Sequence, residues 1–306
     1  MPKFLAARLG ESLVAVWGVV TIVFVVTRVL GDPAVLLLPV GANEAQLDAL
    51  RTQLGLDRPI LTQYFDFLWR AVRGDFGQSF QQMRPAMDVV LERMPATMTL
   101  ASTAIALGVV FGGAAGFTAA VMRGTFAELL VMLIALLGQA TPVFWLGLML
   151  IMVFAVDLGW FPTGGYGTLR HLALPAITLA VFTSAAIARL LRSSMIDVLR
   201  EDYVRTARAK GLLPATVFFW HAARNALIPV VTMVAILTGE LLGGSVVTET
   251  VFSWPGVGRL IIQAVENKDF PVVQAGITLV AATFVAINFV VDLLYGVLDP
   301  RIRVRS

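Results

Sequence analysis

Long apolar runs alternate with shorter charged stretches along the whole chain. Six runs are of membrane-crossing length, at residues 10–30, 97–121, 129–156, 172–191, 226–247 and 272–297. About 20 helical residues cross the hydrocarbon core of a bilayer, and backbone at that depth must satisfy its own hydrogen bonds. The pattern predicts an all-α integral membrane protein with six transmembrane helices. The run at 10–30 follows Lys3 and Arg8 as the apolar part of a signal peptide would, but it is too long for one and no small-residue cleavage site follows. It reads as a retained span.

The Lys/Arg distribution orients these spans. With both termini in the cytoplasm, the inner segments hold thirteen Lys/Arg and the two short outer loops only Arg170, Arg259 and Lys268. That is the bias expected of cytoplasmic loops. The first outer loop, 31–95, carries six Arg against eight Asp/Glu, and loops of that length translocate largely regardless of charge. The expected organisation is N-in and C-in, in three parts. These are a cytoplasmic end with the first helix (1–30), an extracytoplasmic loop with short helices (31–95), and a five-helix core (96–306) with a cytoplasmic elbow at about 197–225.

The outer loop has helical signals of its own. Asn43 and Gln46 have the spacing of a capping box, followed by an apolar row of Leu47, Leu50 and Leu54 and a stop at Gly55. Pro59 opens a second helix that puts Ile60, Tyr64, Phe67 and Leu68 near one face, and a third runs from Pro85 to Met94. Such helices cap the spans, lie in the outer interface or receive a partner.

Composition agrees: 58% of residues are hydrophobic and 14% charged, against about a quarter charged in soluble domains. There is no Cys, and the two His are His171 and His221, which excludes disulfides and thiolate chemistry and argues against a His-based metal site. Within the spans, Gly108, Gly112 and Gly116 recur every four residues, the spacing that lets another helix approach closely, in this chain or in another subunit. Pro142 should kink the third span. Glu240 and Asp292 fall inside spans, where a central charge costs about 2.5–3.5 kcal/mol on insertion scales, so each should face protein or water. Glu240, with Gly243 and Gly244 beyond it, is the candidate translocation-cavity residue, the alternative being a satisfied structural carboxylate.

No catalytic constellation is present. The chain lacks the zinc-protease, hydrolase-elbow and phosphate-loop patterns. Its Asp-Phe-Gly at 75–77 stands without any other kinase element, and Pro255–Leu260 has no strand before it to make a dinucleotide loop. A transport component is left, either one driven by a partner from the inside or an ion-gradient-driven secondary transporter, whose coupling charges normally lie near the midplane.

The most concentrated polar feature is cytoplasmic. "EDYVRTARAKG", residues 201–211, sits in a stretch that reads as one helix over 197–210, ended by Gly211 in the left-handed conformation, with a second helix from Pro214. Small Ala207 and Gly211 permit close approach of a partner, and Arg205, Arg208 and Lys210 offer charge-assisted bonds to it. A basic loop resting on anionic lipid accounts for the charge equally well but not for the Ala and Gly positions.

"EDYVRTARAKG" followed by "HAARNALIPVV" resembles the cytoplasmic-loop signature of binding-protein-dependent ABC importer permeases of the dipeptide/oligopeptide/nickel branch. "GDPA", "LGLDRPILTQY", "GDFGQS", "RMPATMTLA", "GELLGGSVVTETVFSWPGVGRL" and "DFPVVQAG" resemble the same branch, in the same order over nearly the whole chain. The broader signature has Glu-Ala-Ala before the Gly and a later Ile-x-Leu-Pro. Here Arg205, Thr206 and Ala207 take the first three places and His221 to Arg224 the last, so no acidic residue at the first place is credited with coupling.

The resemblance implies a type I importer permease fold in a bacterial inner membrane, with no cofactor and no nucleic acid. It implies pairing with a second homologous permease subunit, two cytoplasmic ABC ATPase subunits and an extracytoplasmic solute-binding protein. Residues 206–211 would be the coupling helix seated in an ATPase groove, with coupling assigned to Arg205, Thr206, Ala207, Lys210 and Gly211. The outer loops, 31–95 and 248–271, would meet the loaded binding protein. Relatives of this type carry dipeptides, longer peptides, glutathione, opines or chelated nickel.

Overall fold

The computed structural model describes residues 2–29, 34–35, 43–53 and 55–298. These residues are helical throughout, apart from turns and one isolated bridge between Gln78 and Pro85. The helices are α1 (Pro2–Val29), α2 (Glu44–Gln53), α3 (Ile60–Val72), α4 (Ala86–Leu91), α5 (Met94–Val121), α6 (Phe126–Ala140), α7 (Val143–Leu150), α8 (Leu169–Val198), α9 (Asp202–Ala209), α10 (Ala223–Gly244), α11 (Val246–Val251), α12 (Val257–Glu266) and α13 (Phe270–Leu298). Five helical stretches, containing α1, α5, α8, α10 and α13, are long and apolar enough to cross a membrane.

The third apolar run, 129–156, is not one kinked helix. It breaks into α6 and a segment running from Val143 to Asp157, the two inclined at 102°. Pro142 disfavours helical backbone at the residue before it, and Thr141 is accordingly extended (φ −75°, ψ 126°). The second half ends in a wide π-helical stretch, Ile151–Asp157. Neither half alone has the roughly 20 residues of a complete crossing.

The bundle is centred on α5 and α8, whose mutual contact is the most extensive in the molecule. Gly108, Gly112 and Gly116 all lie in that contact. An added Cβ at Gly112 would stand 2.5 Å from the carbonyl oxygen of Ser184, and one at Gly116 2.8 Å from that of Ala188. The stripe is thus used within the chain, backbone against backbone. Two-thirds (67%) of the apolar window of α8 is buried, against 17% for α1. α1 is a peripheral span, held mainly by α13 and touched by α3.

Outside the spans, α4 and the Gly74–Pro85 loop join α12 and the start of α13 in a small second core of Phe76, Val89, Val90, Val257, Leu260 and Val272. The capping box forms as expected: Gln46 N–H donates to Asn43 Oδ1 at 2.8 Å, and Asn43 N–H to Gln46 Oε1 at 3.1 Å. Leu54, the side chain of Asp292 and the basic tail Arg301, Arg303 and Arg305 lie outside the described residues.

Candidate coupling elbow and translocation face

At the inner end of α8 the chain turns instead of continuing. The helix expected over 197–210 is divided: Asp197 and Val198 still belong to α8, Glu201 is extended (φ −64°, ψ 148°), and α9 starts at Asp202. The turn lets α9 fold back and bury Val204 and Ala207 against Val217, Val198 and Leu199, which a straight helix would leave in water. Thr206 Oγ1 donates to the Asp202 carbonyl at 3.0 Å, and Arg205 pairs with Asp202 at 3.2 Å. The Asn225 side-chain amide donates to the Tyr203 hydroxyl at 2.7 Å, tying the outer face of α9 to the first turn of α10. The elbow is therefore pre-shaped by its own packing.

The five residues assigned to it divide by position. Arg205, Thr206, Lys210 and Gly211 are exposed, whereas Ala207 is 6% exposed and faces inward. The small side chain of Ala207 lies in the internal seam of the elbow. Gly211 has φ +75° with nothing within 4 Å of an added Cβ. Within the chain, the position calls on glycine's freedom of handedness rather than its lack of volume. Beyond it, Pro214 starts a helical turn and a π-helical stretch, Val217–Ala222, leads straight into α10, so Pro229 lies within that helix.

α10 presents an exposed stripe. Asn225, Ile228, Ile236, Glu240, Gly243 and Val247 are exposed on one side of the helix and its continuation. Glu240 makes no hydrogen bond or ion pair with any described residue, and Gly243 has nothing within 4 Å. Gly239, one residue away from Glu240, is the glycine that is packed, against Phe284 of α13.

Three further carboxylates, not singled out from sequence, hold the elements in place. Glu128, on the first turn of α6, accepts from Gly124 N–H at 2.5 Å and from Arg192 Nε of α8 at 2.6 Å. This links α6 to the helix that carries the elbow. Thr125 caps α6 three residues earlier, so the Thr-x-x-Glu spacing was a readable signal. Glu249, 0% exposed, accepts from Thr97 Oγ1 (2.8 Å), Ser245 Oγ (3.1 Å) and Arg259 N–H (3.0 Å). Thr97 Oγ1 in turn accepts from Val257 N–H at 2.8 Å, and Trp254 Nε1 donates to the Ala96 carbonyl at 2.9 Å. An added Cβ at Gly256 would collide with the Glu249 carboxylate, and one at Gly258 with Val246.

Asp269, 3% exposed, accepts from Ser79 Oγ at 2.5 Å and from the backbone N–H of Phe80 and Gln81 at 3.0 and 3.3 Å. The motif strings thus meet in pairs: "RMPATMTLA" with "TETVFSWPGVGRL", and "GDFGQS" with "DFPVVQAG". Each acid reads as an ordinary loop residue until its distant donors are known.

Residues 94–304 match the family described as binding-protein-dependent transport system inner membrane component, and residues 1–101 match the N-terminal region of such membrane components. The chain is 44% identical over 304 residues to the glutathione transport system permease protein GsiC of Escherichia coli K12, covering 99% of each chain. It is 42% identical over 333 aligned positions to the di/tripeptide transport system permease protein DppB of Pseudomonas aeruginosa UCBPP-PA14, again over 99% of each. With all-helical architecture and matches of this extent, the chain belongs to the inner membrane components of binding-protein-dependent transport systems, as a non-catalytic permease subunit of the peptide-type ABC importers with the type I permease fold.

Proposed function

We propose that this chain forms one half of the membrane pathway of an ATP-driven importer for peptides or a related small solute such as glutathione. A second, similar permease forms the other half, two ATPases sit below, and a binding protein delivers the solute from outside. The substrate class rests on the likeness to the glutathione and di/tripeptide permeases. The observation that carries the coupling role is the self-packed elbow, which turns Arg205, Thr206, Arg208 and Lys210 outward from the end of the most buried span. In this reading an ATPase groove receives that tip. Closure of the two ATPases then moves the elbow, α8 carries the motion, and the Arg192–Glu128 pair passes it to α6.

Glu240 fits the pathway. A carboxylate on a spanning helix with no partner among the described residues avoids the insertion cost only by facing water or another subunit. The stripe it shares with Asn225 and Gly243 offers both.

Affinity purification of the tagged chain from gently solubilised membranes tests the assembly. Co-purification of a second permease and of ATPases with phosphate-binding loops is expected. Recovery of the chain alone in several mild detergents, together with uptake that survives ATP depletion, would overturn the proposal.

A further inference from the structure

α3 belongs to the loop between the first two spans, yet it is not a helix built for water. Its residues fall into three arcs. Tyr64 and Phe67 face α1: the Tyr64 hydroxyl is 2.8 Å from Thr21 Oγ1, and Phe24 lies 5.4 Å, ring to ring, from both Tyr64 and Phe67. Thr62, Asp66, Arg70 and Arg73 form a polar arc, with Asp66 paired to Arg58 and Arg70 to Asp75. Between these arcs lie Leu61, Phe65, Trp69 and Val72, exposed by 67, 63, 60 and 83%.

The height of α3 identifies what covers this third arc. It touches α1 at Thr21 and Phe24, whereas the apolar span of α1 runs to Val29. At 1.5 Å per residue, Thr21 lies about 12 Å and Phe24 about 7.5 Å below that end. α3 therefore sits beside the outer half of a span, at the depth of lipid. α1 is peripheral, and its own exposed residues Ile22, Val25, Val26 and Val29 continue the apolar surface at that height. The Arg73 guanidinium stacks 4.3 Å from the Trp69 ring centroid and makes no ion pair with a described carboxylate. It is placed where a lipid phosphate is met.

We infer that α3 lies in the outer leaflet as an interfacial helix, with Leu61, Phe65, Trp69 and Val72 among acyl chains and Arg73 at the headgroups. The first outer loop is then anchored to the membrane at the flank of α1. Apolar arcs of this kind enter the headgroup–acyl boundary by about 5–10 Å. The inference requires that α1 spans the bilayer with its N-terminus inside.

Spin labels on single cysteines test it in the intact transporter in nanodiscs. The wild-type complex sets the background, since this chain contributes no thiol. Labels at Leu61→Cys, Phe65→Cys and Val72→Cys should have an oxygen-to-nickel-chelate accessibility ratio several-fold above that at Thr62→Cys, and close to that at Val25→Cys on α1. Ratios equal to that at Thr62 would mean water, and shielding from both relaxers would mean a protein partner; either overturns the inference. Brominated lipid offers a second reading that needs no cysteine. It should quench a fluorescence component that is absent from Trp69→Phe, and equal quenching of both proteins would count against lipid contact.

Discussion

Gly211 and Thr97 illustrate two ways in which a single residue is constrained. At Gly211 the space is open and only the backbone hand is demanding. Left-handed backbone costs an ordinary residue about 1–2 kcal/mol and Asn less. Gly211→Val should therefore strip uptake and ATPase retention while leaving the protein in the membrane, and Gly211→Asn should keep most of both. Equal loss in the two variants would point to close approach instead. Thr97 both donates to Glu249 and accepts from Val257. Thr97→Val keeps the shape but orphans buried polar groups at about 1–3 kcal/mol each, visible as an earlier thermal transition in detergent.

Asp75 adds a pH dependence at the same scale. Its side-chain bond to Arg70, and then its bond from Gly77 N–H, hold its carboxyl below the usual carboxylate value. A pKa lowered by folding stabilises above the unfolded value, and that contribution disappears as pH falls through the folded one. Asp75 is largely solvent-exposed, so the effect is small and local. Amide-exchange protection of Gly77 should weaken only as pH drops below about 4, and Asp75→Asn should abolish the dependence.

At the scale of elements, the α5–α8 contact shows how a sequence pattern becomes geometry. Glycines four apart predict a close helix pair, and the structure supplies the partner: Thr183, Ser184, Ile187, Ala188 and Leu191 of α8. Gly112→Leu should destabilise the fold by about 1–3 kcal/mol or more through overpacking, and the same change at Gly113, which has nothing within 4 Å, should be tolerated. Comparing the detergent-extracted yield and thermal transition of the two variants checks this. The break between α6 and α7 was only half legible. Proline forecasts a disturbed helix, but whether the chain kinks or turns by 102° depends on what its two halves pack against.

For the molecule as a whole, the exposed stripe on α10 is the surface that the proposed assembly would cover or open to water. Glu240→Gln should lower uptake or shift solute preference without changing the amount in the membrane; unchanged transport would return Glu240 to a structural role. The sequence alone determined the helical membrane class and the approximate limits of the spans. Hydrocarbon demands long apolar helices with self-satisfied backbones, and that demand is written in local composition. It also determined the capping box at Asn43 and the need for glycine at 211, both local matters. Only the tertiary structure decided which glycines face which helix, that Ala207 turns inward, and that Glu128, Glu249 and Asp269 fasten segments far apart in the chain. A carboxylate's role depends on donors 64, 152 or 190 residues away, and no local pattern encodes where those donors will stand.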